Sequence, residues 1–335
     1  MRMLLLGGTA WLGGEVVAAA LRRGDDVTCL ARGVSGRAPD GAEVVVADRT
    51  RAGAYDAVAG RSWDVVLDVS RQPGQVRSAV EALAPRTSSW VFVSSGNAYA
   101  DHRAAGQDED APVLAPLVGD VMDSMEVYGE AKVACEQAVL HRLGPERALV
   151  ARVGLIGGPG DVFDRSGYWP LRFARPAADD GAVLVPVADD LATSVVDVRD
   201  LAAWFVDAGS RGVSGTLNAT GPALPLSDHL ATARAVAGHT GPVVQAEAQW
   251  LLDRGVQPWM GERSLPLWLT DPDWLGFNAR DSRRAYEAGL RLRPLAETLA
   301  DTLAWELERE PPAVRRAGLT DEDERALLAE LRSAA

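Results

Sequence analysis

The sequence predicts an α/β protein built on a doubly wound parallel sheet. Short apolar runs alternate with helix-period segments through the first half of the chain. Those runs are almost continuously apolar, as strands covered on both faces read, rather than alternating as half-exposed strands do. The first run ends in a glycine-rich turn that opens a helix.

In chain order the expected strands are MLLL (3–6), DVTCLA (26–31), EVVVA (43–47), DVVLDV (64–69), WVFVS (90–94) and ALVARV (148–153). Helix-period segments lie among them, for example LGGEVVAAALRR (12–23), PGQVRSAVEALA (73–84) and MEVYGEAKVACEQAVLHRL (125–143). Such βαβ units put helices on both faces of one sheet. From about 154 the rhythm breaks into GGPGDVFDRSGYWPLRFARP, which reads as a loop plus a short helix. VVDVRDLAAWFVDA (195–208) returns to a strand end and a helix. Trp250, Trp259, Trp268 and Trp274 crowd the later segment, and core packing is the first reading for most of them. A final helix, TDEDERALLAELRSA, opens on Thr320 as N-cap with acids in its first turn.

Composition narrows the function classes. With 335 residues, 47% hydrophobic and 24% charged, the chain has the make-up of a soluble globular protein of one large or two closely joined domains. No apolar run nears the ~18 residues of a membrane span. The opening MRMLLLGG has an apolar segment of only about four residues, too short for a signal peptide. Net charge is −13 without a basic stripe, which argues against a nucleic-acid partner. Cys29 and Cys135 form no metal or disulfide pattern, which fits a reducing, cytoplasmic setting. The four histidines are scattered without ligand spacing, so no metal site is expected.

The turn after the first strand reads LGGTAWLGGEVV, with glycines at 7, 8, 13 and 14. Strand, glycine turn and helix N-terminus in that order make a phosphate cradle. The small residues admit close backbone approach, and unpaired helix N–H groups face the anion. Ala10 stands where a middle glycine is expected, and a merely tight turn is the alternative. The second strand ends in CLARG, without the acid that would grip a ribose diol. Arg32 there can pair with a 2′-phosphate, so NADP(H) is expected over NAD(H). The alternative is that Arg32 only stacks on adenine.

Lys132 is the only lysine in a chain that otherwise takes arginine for its cations. It follows Tyr128 by four residues, so on a helix the two share one face. A phenol near pKa 10 is a poor acid or base at neutral pH. An ammonium at about 4 Å, at an effective dielectric near 20, favours the phenolate by up to about three pKa units. A compact ammonium can also reach a ribose diol, which an arginine fork would not do at the same time. FVSSGNAY (92–99) closes a strand with Ser94 and Ser95, and a hydroxyl there can orient a substrate oxygen toward Tyr128.

With the glycine turn, the serine pair and Tyr128-xxx-Lys132 in this order, the chain resembles the short-chain dehydrogenase/reductase superfamily. It is most similar to the extended, NAD(P)-dependent epimerase/dehydratase-like branch. LLLGGTAWLGG, VVVADRT, FVSSGNAYAD, YGEAKVACE, ARVGLIGGPGD and VVDVRDLA, spanning 3–202, carry the resemblance. It implies a Rossmann-type sheet over 1–160 with a return segment at about 188–210, and a smaller substrate-binding part over 161–335. It implies catalytic roles for Ser95, Tyr128 and Lys132, with Ser95 preferred over Ser94 because it lies four residues before Tyr99. Cofactor contacts are implied for Gly7, Thr9, Ala10, Trp11, Leu12 and Gly13 of the turn. Further ones are implied for Arg32, Ser70, Ser94, Lys132 and Val153, with Asp48 and Arg49 flanking adenine. Asn97 is a weak substrate candidate. Tyr168 and Trp169, after the Gly/Pro loop, are pocket candidates with packing as the alternative.

The expected function is an NADP(H)-dependent reductase of a small carbonyl compound. The alternatives are an epimerase or dehydratase with internal cofactor recycling, or a nucleotide-binding protein without chemistry. Leu155 lies where sugar-nucleotide members carry an Asn, which argues against a nucleotide-sugar substrate. A homodimer is possible on the family pattern.

Overall fold

The computed structural model describes residues 1–34, 36–312 and 314–334. Its first part runs β1 (Arg2–Leu6), α1 (Trp11–Arg22), β2 (Asp26–Ala31), β3 (Glu43–Val46), the short α2 (Asp56–Ala59), β4 (Trp63–Asp68) and α3 (Pro73–Leu83). There follow β5 (Thr87–Ser95), α4 (Tyr128–Leu143), β6 (Ala148–Val153), α5 (Tyr168–Ala174) and α6 (Val198–Arg211). The central sheet has seven strands in the order Gly215–Ala219, β6, β5, β4, β1, β2, β3. All its ladders are parallel. The strand order reverses between β1 and β4, and the crevice beyond their carboxyl ends is where an open α/β sheet receives a ligand.

Both faces of the sheet are covered, which is why the strand sequences do not alternate. Leu5, Leu67, Val91 and Leu149 pack with Val16 and Val17 of α1 and Leu201 and Phe205 of α6. Leu4, Val66, Phe92 and Val150 pack on the other face with Val76 and Val80 of α3 and Cys135 and Val139 of α4. Each strand thus contributes odd and even positions to different layers.

All six strands expected from the apolar runs are present, with boundaries shifted by a few residues. Strand Gly215–Ala219 was not expected. It carries Thr216 and Asn218 among its five residues and lacks an apolar signature. The chain's return to the sheet therefore extends past 210, and Ala285 and Leu290 also join the α1/α6 layer. The Tyr-bearing helix begins at Tyr128, after a single 3₁₀ turn over Met125–Val127. The final helix, Asp321–Ala334, is capped as expected: Asp323 N donates to Thr320 Oγ1 at 3.0 Å.

A second core gathers α5, the parallel strand pair Val183–Pro186 and Val243–Ala246, and helices Leu226–Val236, Leu295–Glu308 and Asp321–Ala334. Tyr168, Trp169 and Trp268 lie inside it. No helix among the described residues is long and apolar enough to cross a membrane.

His229, on the helix Leu226–Val236, is fully buried beside this core, and neither ring nitrogen has a hydrogen-bond partner among the described residues. Burial pushes its pKa down to about 4. The unfolded chain binds that proton near pH 6.5, so between the two values the unfolded state holds more protons and stability falls as pH falls. Urea unfolding should lose up to about 3 kcal/mol from this group between pH 6.5 and 4. His229→Leu should flatten the slope in part, because His102, also held near 4 by burial and by Arg280, keeps its own contribution. An unchanged slope in the variant would refute the assignment.

Candidate active site and cofactor groove

The glycine turn folds as its spacing requires. Gly7 has φ +108°, a conformation that side chains rarely adopt. A Cβ on Gly13 would stand 2.3 Å from the Gly7 carbonyl oxygen, so only glycine lets α1 start so close to β1. The N-terminus of α1 has no side-chain cap and no acid in its first turn. Its free N–H groups thus remain available to an anion.

Beyond β1, β2 and β4 lies a groove of about 890 Å³, lined among others by Gly7, Thr9, Ala10, Arg32, Arg49 and Ser70. Trp11 leaves the groove floor and donates from Nε1 to Pro159 O at 2.8 Å, tying the turn to the loop after β6. Leu12 packs into the α1 layer and Gly13 lies behind the turn. Arg32 is exposed and forms no ion pair among the described residues, while Arg51 and Arg71 also line the groove.

Asp48 and Arg49 have separate surroundings. Asp48 accepts from both Thr50 N and Thr50 Oγ1, which hold its carboxyl below the ordinary range. Arg49 is pinned beneath the groove wall. It gives a bidentate pair to buried Asp68 at 2.9 and 2.7 Å, a bond to Tyr55 Oη at 2.9 Å and one to Gln75 O at 3.0 Å. Asp68 ends β4, so this ion pair ties the segment after β3 to the end of β4 beside the groove.

The Tyr-Lys pair sits at the same edge of the sheet. Lys132 is buried, and its Nζ donates to Ser70 O and Val93 O, both at 2.8 Å. Its ammonium lies 5.0 Å from the Phe92 ring centroid and 5.9 Å from that of Tyr128. Tyr128 is half-buried at the first turn of α4. Gly129 brings that turn against the 96–98 segment: a Cβ there would lie 2.3 Å from Asn97 O. Ser95 ends β5, donates to Asn97 Oδ1 at 3.0 Å and accepts from Asn97 N at 3.2 Å. Val153 is its neighbour in register on β6.

Two expectations need correction. Ser94 does not face the groove. Alternation along β5 turns it to the α4 face, where its hydroxyl donates to Glu136 at 2.5 Å, and Glu136 is paired with Arg152 at 2.8 Å. Tyr168 and Trp169 do not line a mouth. Both are buried in the second core, with Trp169 Nε1 donating to Pro266 O at 2.8 Å.

Sequence reasoning missed three side chains near Ser95 and Tyr128. The Phe277 ring lies against Gly96, 3.5 Å from where its Cβ would stand, and meets Trp259 edge-on at 6.0 Å. Arg165 lies over the Trp259 ring at 5.3 Å, and the Tyr128 phenol is among the groups that act on its charge. These residues come from segments far apart in sequence and share no motif.

The comparisons with known proteins agree with this fold. No protein-family model matches the chain. A Streptomyces protein named 3-diazoavenalumate denitrifying reductase is 30% identical over 240 residues, covering 66% of this chain and 76% of that protein. The chain belongs to the extended short-chain dehydrogenase/reductase family. Solved structures share its fold at lower identity. UDP-N-acetylglucosamine 4-epimerase from Bacillus cereus is 18% identical, with a TM-score of 0.64, over 93% of this chain and 98% of that one. The NAD-dependent NDP-hexosamine 5,6-dehydratase TunA is 15% identical, with a TM-score of 0.65, over 92% and 99%. As a member of the extended family, the protein is an NAD(P)-dependent oxidoreductase.

Removing one partner of a buried pair leaves an uncompensated charge. Asp68→Ala should therefore cost about 3–5 kcal/mol in urea unfolding, through stranded Arg49. A loss below about 1 kcal/mol would mean that Arg49 finds other support.

Proposed function

We propose that this member of the family is an NADP(H)-dependent reductase of a small carbonyl compound, working through Ser95, Tyr128 and Lys132. The observation that carries the reading is the convergence of these three residues where the carboxyl ends of β4 and β5 meet the first turns of α4, beside the glycine-turn groove. A nicotinamide bound in that groove supplies the hydride. Tyr128 gives its hydroxyl proton to the substrate oxygen as the carbonyl carbon is reduced, so hydride and proton together yield the alcohol. Ser95 turns its hydroxyl from Asn97 Oδ1 to the substrate oxygen, while Asn97 N–H continues to support Ser95. Lys132 spends two of its three N–H donors on backbone carbonyls, which leaves one for a ribose hydroxyl.

Arg32 supports the NADP(H) preference. It is a free guanidinium at the groove rim with Arg51 nearby, and Asp48 is turned onto Thr50. The name of the Streptomyces relative favours a reductase, and it extends the possible hydride acceptors to a diazo compound. The names of the solved neighbours favour the second reading, an epimerase or dehydratase that restores its cofactor in each cycle. Net consumption of NADPH separates the two. A homodimer and a cytoplasmic location belong to the same proposal.

NADPH should bind about 10–100-fold tighter than NADH, the worth of one or two hydrogen bonds to a charged group, and Arg32→Ala should erase the difference. Tighter NADH binding in a fluorescence titration would reverse the cofactor assignment. Tyr128→Phe should cut turnover by about 10²–10⁴ and leave cofactor affinity near wild type. Wild-type turnover in that variant would remove Tyr128 from the chemistry.

A further inference from the structure

Most of the arginines buried in this protein are paired. Arg49 meets Asp68, Arg152 meets Glu136, Arg172 meets Glu324 and Asp321, and Arg280 donates to Gln107, Asp101 O and His102. Arg165 differs. Among the described residues it has no ion pair and no side-chain hydrogen bond; the residue is half-buried, and its Nε is shut from water without a partner. Burial disfavours its charged form, against the smaller opposing influences of Asp161 and Tyr128.

The surroundings keep it there. Asp161 is the nearest acid that acts on it, but that carboxylate already accepts from Phe163 N, Arg165 N, Ser166 N and Ser166 Oγ. Arg309 and Arg315, which share the neighbourhood through Asp164, are committed to Asp164 and Glu306. The Arg165 guanidinium lies over the rings of Phe163 at 5.1 Å and Trp259 at 5.3 Å, so π-contacts occupy its faces and its N–H edge is left over. Two residues that set this arrangement hold left-handed backbone, Asp164 at φ 60° and Trp259 at φ 71°. Such strain costs on the order of 1–3 kcal/mol at each non-glycine position and gathers at ligand sites.

From Arg165 the aromatic wall continues through Trp259 and Phe277 to Gly96, next to Ser95. We propose that Arg165 is the anchor for a carboxylate on an aromatic substrate, whose ring packs on Trp259 and Phe277 while its reducible group meets Ser95 and Tyr128. The inference rests on the reductase reading above and names its substrate class. A monoanion is indicated rather than a phosphate dianion, because one unpaired cation faces the site and Asp161 already lends it negative charge.

The test is calorimetric titration of the full-length protein, with and without NADPH, using cinnamate, its neutral isostere cinnamamide, and phenyl phosphate. Wild type should bind cinnamate at least about tenfold tighter than cinnamamide and tighter than phenyl phosphate. Arg165→Gln should bring cinnamate and cinnamamide to near equality, and Arg165→Lys should restore part of the preference. NADPH affinity should stay the same in both variants. The melting temperature of Arg165→Gln should hold or rise, because a half-buried cation without an ion pair is removed; a purely structural arginine would lower it. Equal binding of acid and amide by wild type, absence of binding by both, or a preference that survives Arg165→Gln would overturn the proposal. Tighter phenyl phosphate would overturn the carboxylate in favour of a phosphate. Failure of the folded protein to bind any nicotinamide cofactor would sink the oxidoreductase reading itself, and the cofactor-free titrations would still decide Arg165.

Discussion

One buried ammonium organises the functional edge of this protein. Lys132 reaches from α4 to the carbonyl oxygens of Ser70, just past β4, and Val93, near the end of β5. A charge so far from water persists only when its donors are met, and these two carbonyls lie where the strands stop and the ligand crevice begins. The same contact therefore closes the sheet edge, anchors α4 and fixes where Tyr128 stands. A guanidinium would present a planar fork of five donors to a place built for a compact tetrahedral one. That requirement accounts for a lone lysine in a chain of arginines.

The second constraint is close approach. Gly13 lets α1 begin against the Gly7 carbonyl, and Gly129 lets α4 begin against Asn97. Each removes a Cβ that would meet backbone oxygen, and backbone cannot yield as a side-chain tip can. The first approach sets the uncapped start of α1 at the groove, and the second brings Tyr128 to the Ser95 turn. The Asp68–Arg49 pair does similar work on the other side of the groove by holding the wall that follows β3. Helix starts, strand ends and one ion pair thus converge on the point where the strand order reverses.

What was legible in the sequence follows from how local each signal is. The β1–β6 runs are apolar throughout because helices cover both faces, so each announces itself without reference to its neighbours. Tyr128 and Lys132 share a helix, and Gly7 to Gly13 share a turn, so spacing alone suffices. Strand Gly215–Ala219 was invisible because its Asn218 is buried by long-range bonds to Tyr99, Glu109 and Asp281. Ser94 and Ser95 are the same residue type; the spacing to Tyr99 favours Ser95 for the catalytic role, and the sheet face is what takes Ser94 away from the groove, onto Glu136. Tyr168 and Trp169 carry an aromatic signal that suits a pocket or a core equally well, and the second core claims them.

The second half of the chain is hard to read for a physical reason that also bears on specificity. Its elements are short, and its core is assembled from segments up to 150 or so residues apart, such as α5 with Asp321–Ala334 through Arg172. Such a body can vary its wall residues without disturbing the sheet, because the sheet's stability is set in other layers. Strain is affordable there in the same sense: left-handed Trp259 and Asp164 hold their positions only because the packed segments around them leave no relaxed alternative. The division of labour is then clear in energetic terms. The sheet edge meets its buried charge within the chain, Lys132 through two backbone carbonyls. Arg165, by contrast, has no ion pair among the described residues, and its Nε is buried without a partner.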